Sequence, residues 1–186
     1  MAVNVQQNNV GGFSATTAIE LTRPADTLIY AAGDALANST TAASVVPLSF
    51  PLAGRGSGLG GIILGGKLIT NSTSAIAAVR LWLFNQEPFA AAGYQADNAA
   101  LALTYNSLKL GGASFEDDNL IGYIDFASFT TTSTSSISEA VFPVRTSAAY
   151  RTLASLQTIF GLYEVKTAFT PISAQTFLTT LDIQQD

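Results

Sequence analysis

Two glycine-rich spacings in the chain match those of phosphate-binding loops. Gly56, Gly58 and Gly61 form GxGxxG, and the stretch from Gly61 to Lys67 reads GxxxxGK. A dinucleotide loop requires a helix after its last glycine, whereas the apolar residues that follow here read as a strand. The second spacing is followed by Leu68, where a phosphate loop needs the Ser or Thr that holds magnesium. Neither spacing therefore predicts a cofactor site.

Carboxylates offer a second kind of chemistry, and Glu116, Asp117 and Asp118 form the acidic cluster of the sequence. Calcium prefers oxygen ligands, but adjacent residues of an extended chain point in different directions, and the spaced distal Glu of a calcium loop is missing. Asp125 and Asp182 alternate with apolar residues, so both are predicted to face outward rather than to form a catalytic pair. We expect neither a metal site nor a cofactor.

The residue types that enzymes use most at neutral pH are absent, because the 186 residues include no histidine and no cysteine. A Ser-His-Asp triad, a thiolate nucleophile and a zinc site of nitrogen and sulfur ligands are thereby excluded. Charged residues make up 11% of the chain and hydrophobic residues 48%, whereas an ordinary soluble domain is roughly 25% charged. Sparse charge is typical of surfaces that contact other proteins, so the composition predicts a building block rather than an enzyme.

The distribution of charge also excludes two classes of partner. The formal net charge is -5, and the eight Lys and Arg residues are scattered singly, so no basic stripe is present for nucleic acid. No apolar stretch reaches 18 residues, which argues against a membrane-spanning helix. The N-terminal sequence lacks the cationic start and apolar run of a signal peptide. We therefore expect neither nucleic acid nor a membrane as partner.

Residues 1–15 are rich in Asn, Gln and Gly without periodicity, which predicts a flexible or partner-ordered arm. Residues 16–186 are predicted to form a single domain in which apolar residues alternate with period two, as in half-buried strands. Candidate partner contacts are Asn4, Gln6 and Asn8 of the arm, together with Arg55 of the glycine-rich loop. Strands are predicted near residues 45–50, 62–70, 79–84, 101–105, 120–126, 137–141, 159–169 and 177–183.

The same alternation predicts which side chains are buried. These are Val46, Leu48 and Phe50 in one strand, Val79, Leu81 and Leu83 in another, and Phe177, Thr179, Leu181 and Ile183 in the last. An alanine-rich stretch at 90–103 is a candidate for a short helix or a structured loop. Because no βαβ repeat is evident, the pattern predicts an all-β fold, an antiparallel β-sandwich with jelly-roll-like topology.

Aromatic residues within and between these strands have two possible uses. Rings can stack on the apolar faces of sugars, or they can pack in the core, which is the commoner use within strands. The residues concerned are Trp82, Tyr94, Tyr105, Tyr123 and Tyr163.

Four segments resemble a known class of protein. They are RPADT at 23–27 continuing to YAAGD at 30–34, AAVRLWLFNQEP at 77–88, GYIDF at 122–126, and the last strand at 177–184. Together they resemble small proteins encoded in the structural gene modules of tailed bacteriophages, close to the major capsid gene. The resemblance covers residues 16–186 and contains no catalytic motif.

The resemblance implies a non-enzymatic virion protein that decorates the outer surface of the capsid. Such a cement protein bridges subunits of the major capsid protein, and many weak contacts add up through multivalency. It also implies a homo-oligomer, with a trimer expected. The aromatic residues support an alternative, a carbohydrate-binding adhesion module of a phage tail or head fibre. A glycan hydrolase that relies on Asp and Glu alone is the third and least favoured function.

Overall fold

The computed structural model describes residues 13–51, 53, 56, 59–73, 78–88, 94–101, 120–127, 129–141, 148–151 and 157–185. Regular structure in these residues is almost entirely β, with one short 3-10 helix at Ala42–Ser44. Within the same ranges, no helix has the length and apolar character needed to cross a bilayer. The predicted all-β class is thereby confirmed.

Among the described residues, the first sheet contains six strands, all paired antiparallel. Its main order is β1, β11, β4, β8 and β7, and β9 pairs with β4 beside β8. The strands are β1 (Phe13–Thr22), β4 (Gly60–Thr70), β7 (Thr130–Thr131), β8 (Ser136–Val141), β9 (Ala148–Arg151) and β11 (Thr176–Gln185). The first and last of these strands lie side by side over ten residue pairs.

The second sheet, in the part of the chain that the structure describes, contains five strands and is also antiparallel. Its main order is β2, β10, β5 and β6, and β3 pairs with β10 next to β2. The strands are β2 (Ala35–Leu36), β3 (Leu48–Phe50), β5 (Val79–Phe84), β6 (Leu120–Phe126) and β10 (Ile159–Val165). Neither sheet closes on itself.

One hydrophobic core is shared by both sheets, as in a sandwich-like arrangement. Leu68 and Phe177 of the first sheet and Phe50 and Leu81 of the second are all fully buried members of a single cluster. The predicted inward faces of β5 and β11 are confirmed, because the alternation expected from the sequence matches the observed burial. Burial of these side chains supplies the main favourable free energy of folding, at roughly 1.5–3 kcal/mol for each large one.

One detail of the sequence prediction is wrong. Val46 was expected on the buried face, but 63% of it is exposed, whereas Leu48 and Phe50 are buried as expected. Strand β3 begins only at Leu48, so the alternation does not extend back to Val46. For the stretch at 90–103, expected to be a short helix or a structured loop, the described residues 94–101 form a loop with a turn at Asp97 and Asn98, and Asn98 has a left-handed φ of 59°.

Strands β1, β2 and β9 arise where none was expected. Strand β1 begins at Phe13, within the predicted arm of residues 1–15, β2 has two residues, Ala35–Leu36, and β9 lies at Ala148–Arg151. The predicted strand at 101–105 lies outside the described residues except for Leu101.

Candidate functional site

Two groups of predicted site residues lie outside the described residues. They are the predicted partner contacts, Asn4, Gln6, Asn8 and Arg55, and the acidic cluster at 116–118. The GxxxxGK spacing from Gly61 to Lys67 lies entirely within β4, a strand and not a phosphate-binding loop. Among the described residues, no three Asp or Glu side chains gather closely enough to hold a metal ion.

The two carboxylates examined as a catalytic pair lie on different sheets and serve as hydrogen-bond acceptors. Asp182 of β11 accepts a bond of 3.0 Å from the Thr16 hydroxyl. Asp125 of β6 accepts two bonds from Arg80 of β5. Because each carboxylate faces outward on its own sheet, they have no common reacting position between them.

The aromatic residues singled out in the sequence lie in separate environments. Tyr163 is 2% exposed and packs in the core, where its hydroxyl contacts that of Thr179. Tyr94 donates a hydrogen bond of 2.8 Å to Glu87. Trp82 and Tyr123, by contrast, lie together on the outer face of the second sheet, with ring centroids 5.3 Å apart. Tyr105 lies outside the described residues.

We call the charged and aromatic group on this outer face the β5–β6 cluster, formed by Arg80, Trp82, Tyr123, Asp125 and Glu164. Strand register places Arg80 between Glu164 and Asp125, and the next row holds Trp82 beside Tyr123. Arg80 donates to both oxygens of Asp125, at 2.7 and 2.8 Å. Its guanidinium carbon also lies 3.7 Å from the centre of the Tyr123 ring. This stacking is a cation–π contact.

Hydrogen bonds satisfy the charges of the β5–β6 cluster. The indole Nε1 of Trp82 donates to Glu164 Oε2 at 2.8 Å, and Lys166 Nζ donates to Glu164 Oε1 at 2.9 Å. The bidentate hydrogen bond that Arg80 donates to the Asp125 carboxylate raises the pKa of Arg80 above its ordinary value. Tyr123 is 45% exposed. The β5–β6 cluster therefore combines paired charges with an accessible aromatic ring.

A second cluster, which sequence reasoning did not find, is centred on a buried arginine at one end of the two sheets. The Arg23 side chain is fully buried, with Nε donating to the Tyr30 hydroxyl at 3.0 Å and Nη2 to Asp26 Oδ1 at 2.7 Å. Nη1 donates to the carbonyl oxygens of Asp26 and Ile172, at 2.6 and 3.2 Å. Nη2 also lies 3.3 Å from Asp97 Oδ2. One side chain therefore joins three segments of the chain.

Asp97 is the buried counterpart of Arg23. Its Oδ1 accepts bonds from the Tyr30 hydroxyl at 2.6 Å and from the Ala37 N–H at 2.7 Å. Burial raises the pKa of Asp97, whereas the hydrogen bond from Arg23 lowers the pKa of the more accessible Asp26. Burial is also the main cause that raises the pKa of Tyr30. The cluster is a closed hydrogen-bond network, whose members brace one another.

The loops that Arg23 braces present apolar side chains to solvent. Leu28 is 58% exposed, Ile29 67% and Ile172 38%. Tyr30 fixes the end of the first loop, because its ring stacks on Phe169 at 5.1 Å and its N–H bonds the Phe169 carbonyl. We call Leu28, Ile29 and Ile172 the apolar loop surface. Exposed apolar residues on a rigid frame are a common feature of protein-binding sites.

Two small pockets and one open groove lie among the described residues. Two pockets beside β2 and β10 have volumes of about 10 Å³ each, which suits a single water molecule. A groove of about 380 Å³ runs between β1 and residues 46–48. It is lined mainly by apolar side chains and includes no acid–base pair.

No protein-family model, curated protein or solved structure matches the chain.

Proposed function

We propose that the protein is a non-enzymatic structural virion protein that decorates the outer surface of a bacteriophage capsid and stabilises it by bridging major capsid protein subunits. The observation that carries this proposal is the apolar loop surface, in which Leu28 and Ile29 are exposed on a loop fixed from within by Arg23. A prearranged apolar contact loses little conformational entropy on binding. The low charge of the chain fits a protein that covers much of its surface with other subunits.

A jelly-roll-like topology is part of this proposal and is supported by the strand pairs. Strand β1 pairs with β11, β3 with β10, β4 with β8, and β5 with β6. In sequence order each of these pairs encloses the next, from β1–β11 on the outside to β5–β6 on the inside. A jelly roll has the same arrangement, because it forms when one long antiparallel hairpin of paired strands folds over itself. The partner-ordered arm and the homotrimer remain predictions from the sequence and the resemblance.

Co-sedimentation with mature capsids that lack the protein tests the proposal. We expect saturable binding of the wild-type protein. The double change Leu28→Ser with Ile29→Ser should weaken it by at least tenfold, since about 1–2 kcal/mol of apolar burial is lost at each position. Leu64→Ser is the matched control, because Leu64 is 42% exposed on the outer face of the first sheet, away from these loops.

The two comparisons test the capsid function and the apolar loop surface separately. Absence of wild-type binding even at high protein concentration would overturn the capsid proposal. Binding that is equally strong in the double variant and in the wild type would leave the capsid function in place but reject the apolar loop surface as the contact.

The β5–β6 cluster favours the second candidate, a carbohydrate-binding adhesion module. Tyr123 is exposed beside Trp82, and the carboxylates of Asp125 and Glu164 border the rings. Sugar rings stack on aromatic faces, and their hydroxyls can donate to carboxylate oxygens that keep free lone pairs. A glycan array should then show a signal that Trp82→Ala and Tyr123→Ala both abolish and Leu64→Ala keeps. A blank array for the wild type would reject this candidate.

A further inference from the structure

Strand β1 is an open edge of the first sheet. Among the described residues it pairs only with β11, and its register runs through ten residue pairs without a bulge. Its other side is therefore a row of backbone donors and acceptors that no described strand covers. Such a row is a template for another extended chain.

The register shows which backbone groups point away from β11. The Arg23 N–H donates to the Gln175 carbonyl at 3.1 Å, and these residues continue the register of β1 with β11. In an antiparallel pair, hydrogen-bonded positions recur at every second residue. Odd-numbered residues of β1 therefore bond β11, and the even-numbered ones direct N–H and C=O to the open side. These are Ser14, Thr16, Ala18, Glu20 and Thr22, all with exposed side chains.

This edge lacks the features by which proteins commonly block strand addition. Protected edges are short, bulged or interrupted by Pro, or carry several charges. Strand β1 has ten residues, no bulge and no proline, and Glu20 is its one charged residue. Threonine and isoleucine also favour extended backbone. The sequence of this edge thus permits pairing where most natural edges prevent it.

An apolar groove runs beside the same edge. It has a volume of about 380 Å³ and lies between Ile19 and Leu21 of β1 and the segment of Val46, Pro47 and Leu48. Val46 is 63% exposed at its rim. A second chain placed along β1 would cover this groove and remove the exposed valine from water.

We propose that β1 pairs antiparallel with β1 of a second copy of this chain, around a two-fold axis at Ala18. In that register Ala18 of one copy lies opposite Ala18 of the other, Thr16 opposite Glu20, and Ser14 opposite Thr22. All five outward residues then meet an outward residue, and the smallest side chain lies at the axis. Centring the pair on Glu20 would instead oppose two like charges, which is unfavourable. The edge is self-complementary, and this selects a second copy as its occupant.

The pairing would join two six-stranded sheets into one continuous sheet. It links chains two at a time, whether each chain is single or already part of a larger oligomer. It does not rest on the capsid function, because both chains in the contact are identical and no capsid takes part.

Cysteine cross-linking tests the register, since the chain contains no cysteine and a single introduced thiol is unique. In the proposed register the two Ala18 Cα atoms are about 5.5 Å apart, within the range that a disulfide spans. Ala18→Cys should therefore yield a disulfide-linked pair of chains on mild oxidation. Ser14→Cys is the matched control on the same exposed edge, because its two copies would lie about 27 Å apart. A single-chain band for Ala18→Cys, or equal cross-linking of both variants, would overturn the proposal.

Charge substitutions give a second readout by sedimentation equilibrium. In Thr16→Lys, the new lysine of each copy lies opposite Glu20 of the other copy, so the two-fold symmetry creates two ion pairs. The Kd for self-association should therefore fall several-fold. Ala18→Glu opposes two carboxylates at the axis, so the same Kd should rise on the order of tenfold. Opposite or absent changes in variants that retain the wild-type circular dichroism spectrum would reject this register.

Discussion

Arg23 Nη2 and Asp97 Oδ2 lie 3.3 Å apart although 74 positions separate the two residues, and both side chains are almost completely shielded from water. The cost of removing two charges from water is high, and only their mutual attraction and further hydrogen bonds offset it. Here the Tyr30 hydroxyl, the Ala37 N–H and two carbonyl oxygens complete the network. The network holds the apolar loop surface in place.

Removing the buried cation should destabilise the protein strongly. Arg23→Met leaves Asp97 buried without its counter-charge, so the free energy of unfolding should fall by about 3–5 kcal/mol in urea denaturation. The matched control is Arg80→Met, which breaks a pair at the surface of the second sheet and should cost about 1 kcal/mol or less. Equal losses of unfolding free energy in Arg23→Met and Arg80→Met would contradict the inference that burial makes the Arg23 ion pair more important for stability.

Lowering the pH should destabilise the same network, because Asp26 becomes protonated. Its pKa is lowered from 3.8 by the hydrogen bonds from Arg23 and the Leu28 N–H, so the folded state favours the ionised form. This contribution to stability is present above pH 3.8 and is lost as the pH falls through the lower folded pKa. Chemical unfolding at pH 7 and at pH 3 should show Asp26→Asn less stable than wild type at the first pH, with the difference reduced at the second. A difference that grows on acidification would refute this account.

Gly161 permits a close approach between β10 and the core. A Cβ at this position would lie 2.8 Å from Leu81 Cδ1 and 3.1 Å from Phe50 Cε2. Gly161→Ala should therefore lower the free energy of unfolding by about 1–3 kcal/mol through overpacking. Gly33→Ala is the comparison, because Gly33 has φ +94° but no atom within 4 Å of the added carbon. Its cost should be backbone strain alone, about 1–2 kcal/mol.

Truncation of a core leucine should distinguish buried from exposed apolar positions. Leu81 is fully buried in β5, so Leu81→Ala should lower the free energy of unfolding by about 2–5 kcal/mol. Leu64→Ala, at a position 42% exposed, should cost less than about 1 kcal/mol. The stabilities of the two variants can be compared by thermal unfolding, monitored by circular dichroism. A larger loss for Leu64→Ala than for Leu81→Ala would contradict the expectation that burial determines the cost of truncation.

The sequence predicted strands well where alternation was carried by large apolar residues. The inward residues of β11, from Phe177 to Ile183, alternate without a break, and so do those of β5. Strand β1 was missed because Thr17 is one of its buried inward residues, and threonine alternating with other small residues gives little hydrophobic contrast. The extent of β3 was overestimated because Val46 continues its apolar pattern but not its pairing.

The candidate sites were harder to predict than the strands. The outward positions of Asp125 and Asp182 followed from period two, and both are exposed as expected. The bond between Arg23 and Asp97 depends on how loops fold back across distant strands, and no local spacing encodes it. A nearby signal did exist, because Arg23 and Asp26 lie three residues apart around Pro24 and form an ion pair of 2.7 Å.

The position of β11 between β1 and β4 also determines when the first sheet can form. Every one of the ten pairs of β1 involves the last described strand, with Phe13 opposite Gln185. During synthesis, β1 leaves the ribosome long before its partner exists, so its apolar side chains stay unpaired until β11 has been made. Such distant pairings are typical of slow folding and of nascent chains that depend on chaperones. The native edge, and with it any contact made through β1, therefore forms only after β11 has been made.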